Sequence, residues 1–135
     1  MAFMRKQTYL IVDPSALLAV LLNEQSRREL EQKSAGYRLA APGCIQWEMG
    51  NALYGVFKRN RIRLQEAQSV FEEFKLLSFQ IMDVDMNSAL EIAIVKHIPA
   101  YDAYYLQCAT QYGCPLLTLD QRMIDIAEDI GVTVL

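Results

Sequence analysis

Tyr9-Leu10-Ile11-Val12-Asp13-Pro14-Ser15-Ala16-Leu17-Leu18 runs from an apolar, β-branched segment straight into a helical one, with an acid at the joint. Tyr9–Val12 reads as a buried strand. Asp13 suits the cap of the following helix and Pro14 its first position, with Ala16–Leu22 as its body. Strand followed at once by helix is the opening of an α/β unit, and the rest of the chain repeats it. A polar helix over Ser26–Ser34 stops at Gly36, and Tyr37–Ala40 is a second strand. Pro42 is read as opening a helix that runs to about Lys58, and Leu64–Leu77 as another. Phe79–Met82 is a third strand and Met86–Lys96 a helix. Pro99 starts a helix to about Tyr112, Leu116–Thr118 is a short strand, and Gln121–Asp129 a last helix leading to the strand Val132–Leu135. The expectation is a three-layer α/β sandwich with a mainly parallel sheet of about five short strands, in one domain spanning 1–135.

Composition narrows the function. At 135 residues with 53% hydrophobic content the chain can bury a proper core. A net charge of −3 and a pI near 5.1 give no overall basic footprint, so a nucleic-acid partner would need local cations or metal ions. Cys44, Cys108 and Cys114 show no paired spacing, and His97 is the only histidine, which argues against a disulfide framework and a zinc site. Arg5-Lys6 ahead of apolar residues resembles a secretion leader, but Asp13-Pro14 breaks the run and no small-residue cleavage site follows. Ala16–Leu22 falls well short of the roughly 18 apolar residues that a membrane span needs. The expected location is the cytoplasm.

Four acids stand in apolar surroundings: Asp13 after Val12, Glu48 between Trp47 and Met49, Asp102 among Tyr101, Ala103, Tyr104 and Tyr105, and Asp120 after Leu119. Each has an ordinary reading. Asp13 and Asp120 can cap helices, and Asp102 falls in a first turn, where the helix dipole favours an acid. Glu48, on a helix begun at Pro42, lies past the first turn and escapes both explanations. Asn51 and Gly55 share its face. In open parallel sheets, sites form beyond the carboxyl ends of the strands, where Asp13 and Asp120 both fall. Gathered carboxylates repel one another, and a hard divalent cation such as Mg²⁺ or Mn²⁺ relieves that repulsion. Such a site suits phosphodiester hydrolysis.

These segments resemble the PIN-domain ribonucleases, most closely the VapC-like toxins of toxin–antitoxin modules. Leu10–Leu18 is similar to the family's opening strand, acid and hydroxyl residue, and Glu48 with Asn51 to its helical motif. Pro99–Leu106 and Leu117–Asp120 are similar to its two C-terminal acidic motifs. The resemblance implies that Asp13, Glu48, Asp102 and Asp120 bind Mg²⁺ or Mn²⁺ and activate water for endonucleolytic RNA cleavage, leaving a 5′-phosphate and a 3′-hydroxyl. It implies that Ser15 and Thr118 support the acids by hydrogen bonding and that Asn51 stands behind them. It also implies a homodimer, inhibited by an antitoxin segment in the acidic groove.

Lys58, Arg59, Arg61 and Arg63 form a basic run that could meet RNA phosphates or antitoxin acids, or simply be a solvated turn. The tyrosines near Asp102 read as core or dimer-interface residues before base-stacking ones, His97 as a helix end, and Asp85 as a cap. A receiver-like signalling domain would want an acidic pair near the first strand and a late lysine, but no lysine follows Lys96. A haloacid-type phosphatase would want an acid where Ser15 stands. A non-catalytic adaptor on the same fold is the remaining alternative.

Overall fold

The computed structural model describes residues 8–135; Arg5 and Lys6 lie outside them. The elements run β1 (Tyr9–Val12), α1 (Pro14–Leu21), α2 (Arg27–Ser34), β2 (Arg38–Pro42), α3 (Ile45–Lys58) and α4 (Leu64–Leu76). Then come β3 (Gln80–Met82), α5 (Met86–Lys96), α6 (Ala100–Tyr112), β4 (Leu116–Leu117) and α7 (Gln121–Asp129). All strand pairs are parallel, in the order β3-β2-β1-β4. The chain therefore walks outward from β1 through β2 to β3, then returns across the sheet to place β4 on the other side of β1. Parallel crossovers are right-handed, so this reversal puts α1–α4 on one face and α5–α6 on the other. The result is the expected three-layer α/β sandwich.

Two expectations change. The fifth strand contributes a single bridge, Leu116 to Val134, held by two backbone bonds to Leu116. Among the described residues the sheet thus has four strands rather than five. Pro42 does not open a helix. It closes β2 in register with Met82, and α3 starts three residues later at Ile45. A proline is tolerated at a strand's end, where its missing N–H leaves no ladder bond broken.

The strands explain why local patterning was readable. Leu10 and Ile11 are fully buried, as are Ala40 and Leu116, because helices cover both faces of the sheet. α6 packs directly on β1, β2 and β4 and is held by α5 from outside. Its small residues Ala103 and Ala109 allow the close approach, and Tyr105, Leu106 and Cys108 fill the space between. Among the described residues no helix is long and apolar enough to cross a membrane. His97 is a helix end, as expected, in the left-handed conformation (φ 56°). Asp85 stands at the start of α5, but its carboxylate accepts from Ser88 Oγ at 2.7 Å and makes no capping bond to the helix backbone.

Candidate active site

The strand order has its reversal between β1 and β4, and the carboxyl ends of these two strands carry Asp13 and the Thr118–Asp120 turn. That is where an open parallel sheet leaves a crevice. Glu48 enters from α3, which follows the end of β2, and Asp102 from the first turn of α6. All four acids line one cleft of about 520 Å³, together with Ser15, Trp47, Asn51, Ala52 and Tyr101. The four acids therefore lie at one end of the molecule.

Asp13 is the most buried of the four, at 5% exposure, and it is fully hydrogen-bonded. Its Oδ1 accepts from Ser15 Oγ at 2.6 Å and from the Ala16 amide at 3.2 Å, so it does cap α1. Its Oδ2 accepts from Thr118 Oγ1 at 2.5 Å. Ser15 Oγ in turn accepts from the Leu119 amide at 2.9 Å, and Thr118 Oγ1 from the Asp120 amide at 3.1 Å. These two hydroxyls stitch the end of β4 to the start of α1. Burial raises the Asp13 pKa, and the hydroxyl and amide donors pull against that rise.

Glu48 sits in the first turn of α3, correcting the sequence reading that placed it beyond the reach of the helix dipole. The reason is the late start of α3 at Ile45. The dipole therefore favours its charge, yet the carboxylate is half-buried and needs more than that. Two donors meet it: Tyr105 Oη at 2.6 Å and Cys44 Sγ at 3.0 Å, both on Oε2. Tyr105 is buried, as expected of a core tyrosine, but its hydroxyl also serves the site. Burial pushes the Cys44 thiol up to about 12, and the Tyr105 phenol also lies far above its ordinary value, so both stay protonated donors at neutral pH. Burial also raises Glu48 itself, with Asp102 and Asp13 adding repulsion.

Asp102 and Asp120 hold the outer side. Asp102 is raised by burial, lowered by Arg122 and raised again by Asp120. Its Oδ2 accepts from Arg122 Nη2 at 2.9 Å. Asp120 caps α7 through Oδ1, which accepts from the Arg122 amide at 2.9 Å and from the Met123 amide at 3.4 Å. Both ordinary readings, cap and site wall, are thus true at once for Asp13 and Asp120. Asn51 lines the cleft but is exposed and bonded to none of the acids. Gly55 lies off the cleft. The basic run is elsewhere: Lys58 is ten residues along α3 from Glu48, about 15 Å at the helical rise. Arg61 and Arg63 border a separate hollow of about 380 Å³ with Phe57, Asn60 and Leu64.

Three partners escaped the sequence reading. Tyr105, Cys44 and Arg122 are ordinary residues until the fold sets them beside an acid. Only Tyr105 carried a signal, as a tyrosine three residues after Asp102 on the helix that faces the sheet.

Four carboxylates with hydroxyl supports form an all-oxygen donor set, which fits a hard divalent ion in chemistry. The mutual repulsion among Asp13, Asp120, Glu48 and Asp102 is what such an ion relieves. The acids are spread around the cleft, however. Among the described residues no three of His, Cys, Asp or Glu stand close enough to enclose an ion as they are.

A parallel sheet with its strand reversal at β1/β4, carrying an acidic cleft fed from four separate segments, defines a PIN-type α/β protein. Residues 10–129 match the PIN domain family, and the chain belongs to it. It is similar to ribonuclease VapC3 of Pyrobaculum aerophilum, with 29% identity over 121 residues that cover 86% of this chain and 92% of that one. It is similar also to ribonuclease VapC9 of Mycobacterium tuberculosis, at 29% over 119 residues covering 88% and 91%. The crystal structure of PAE2754 from Pyrobaculum aerophilum shares the fold, with a TM-score of 0.68 at 24% identity over 90% of this chain and 87% of that one.

Proposed function

We propose that the cleft belongs to a metal-dependent endoribonuclease of the VapC type, the toxin of a toxin–antitoxin pair. The observation that carries this reading is the convergence of Asp13, Glu48, Asp102 and Asp120 from four segments on one cleft. Similarity to proteins named VapC ribonucleases supplies the substrate class. Asp13, Glu48, Asp102 and Asp120 would hold Mg²⁺ or Mn²⁺. When bound, such an ion polarises a phosphate oxygen and makes water acidic enough to attack near neutral pH.

The chain's own residues prepare the reaction. Ser15 and Thr118 fix both oxygens of Asp13, so it cannot turn away from the cleft. Tyr105 and Cys44 fix Oε2 of Glu48, and no hydrogen bond among the described residues engages its Oε1. Trp47 and Tyr101, 73% and 53% exposed on the cleft walls, offer flat faces on which unpaired bases can stack. Cleavage would leave a 5′-phosphate and a 3′-hydroxyl. The reading includes a single-domain cytoplasmic protein, a homodimer and an inhibitory antitoxin. Exposed Leu90, Ile94 and Val95 on α5 and Tyr54 on α3 support protein partners.

The test is incubation of end-labelled structured RNAs with purified, antitoxin-free protein in Mg²⁺, in Mn²⁺ and in EDTA. Discrete cuts should need the ion and should fall by roughly 10²–10⁴-fold in Asp102→Asn. A folded protein that binds RNA but never cuts it, with or without ions, would make the chain an adaptor on the same fold.

A further inference from the structure

Among the described residues, Arg122 is the cation bonded to an acid of this cleft, and none of those lining the cleft is a lysine or an arginine. Its placement is unusually well fixed at one end and loose at the other. The backbone amide is tied to Asp120 Oδ1 at 2.9 Å at the start of α7, which sets where the side chain leaves the helix. The guanidinium then crosses to Asp102, touching one oxygen through one nitrogen, while the side chain stays 54% exposed. An exposed pair of this kind contributes little to stability. A single contact leaves most of the guanidinium's five donors free for something else. A planar, permanently charged fork of donors is suited to phosphate oxygens.

The charge balance of the cleft asks for such a group. RNA brings phosphates to a wall of four carboxylates, and the basic run Lys58–Arg63 lies at the far end of α3. A cation that competes for Asp102 in the ion-free protein is set free whenever that carboxylate is engaged otherwise. We propose that Arg122 is a phosphate-binding residue of the RNA cleft, held on Asp102 only while that carboxylate is otherwise unengaged. This rests on the ribonuclease reading above. It gives the acid–arginine pair a role other than neutralising one carboxylate.

The experiment compares Glu48→Gln with Glu48→Gln/Arg122→Gln for binding a short random-sequence single-stranded RNA in Mn²⁺, over a range of salt. Glu48 does not touch the Arg122–Asp102 pair, so this background stops cleavage without disturbing it. Loss of Arg122 should weaken binding roughly tenfold. It should also flatten the salt dependence by about 0.7 in the log–log slope, one phosphate contact's share. Arg122→Lys should recover part of both. Calorimetric Mn²⁺ titration of Arg122→Gln alone should give an affinity equal to or tighter than the parent's, because a competing cation has gone. Equal RNA binding with and without Arg122 would overturn the proposal. So would weaker Mn²⁺ binding in Arg122→Gln, which would make the arginine only a positioner of Asp102. A folded Glu48→Gln protein that binds no RNA would instead sink the RNA reading of the cleft, and this proposal with it.

Discussion

Glu48 shows how a residue's neighbours decide what it can do. A half-buried carboxylate in a helix is costly unless donors meet it, and here a phenol and a thiol both land on the same oxygen. Tyr105→Phe removes the shorter of these bonds while keeping the ring that fills the core. Residues that orient a metal-binding carboxylate typically influence affinity by 10–100-fold. Tyr105→Phe should therefore lower Mn²⁺ affinity by about tenfold in calorimetry, with near-ultraviolet circular dichroism unchanged. Cys44→Ala, which removes the longer bond to a weaker donor, should have the smaller effect. An affinity unchanged in both variants would mean that Glu48 does not depend on its supports.

At the scale of elements, the site is a set of joints. Thr118 beyond β4 and Ser15 in α1 both bond to Asp13, so one acid ties the two strand ends on either side of the crevice. Thr118→Val keeps the volume but leaves a buried carboxylate oxygen without its donor. It should cost about 1–3 kcal/mol in urea denaturation of the ion-free protein, more than Ser15→Ala, which leaves the Ala16 amide on the same Oδ1. These joints were partly legible in the sequence. Strands buried on both faces read as continuous apolar runs, so an acid at the end of Leu10-Ile11-Val12 or Leu116-Leu117 stands out, as does the hydroxyl beside it. The start of α3 was not legible, because β2 extends through Pro42 only by pairing with β3, and that pairing is not a local property. The later start of α3 is what brings Glu48 into the first turn. The Tyr105–Glu48 and Arg122–Asp102 bonds join residues 57 and 20 apart in sequence, and nothing in either segment announces the other.

Across the whole molecule, the gathered acids, on the proposed reading, govern the response to pH and to ions. Burial, with carboxylate repulsion, raises Asp13, Glu48 and Asp102 above their ordinary values. Groups raised in the fold contribute stability that is full below the ordinary carboxylate range and is lost as pH rises through their folded values. As far as these three govern it, the ion-free protein should melt at a higher temperature near pH 5 than at pH 7. Mn²⁺ should reverse the order by stabilising the neutral-pH form, because a ligand that binds only the folded state raises its stability. Thermal scans at both pH values, with and without the ion, check this; a neutral-pH melting temperature indifferent to Mn²⁺ would contradict it. The most direct test of the account is calorimetric Mn²⁺ titration of the wild-type protein beside Asp13→Asn, Glu48→Gln, Asp102→Asn and Asp120→Asn, each first shown to be folded. The account predicts that the wild type binds the ion and that each of the four changes weakens binding. A folded wild type that takes up no Mn²⁺, or binds it with an affinity none of the four alters, would contradict the claim that these acids form one metal site.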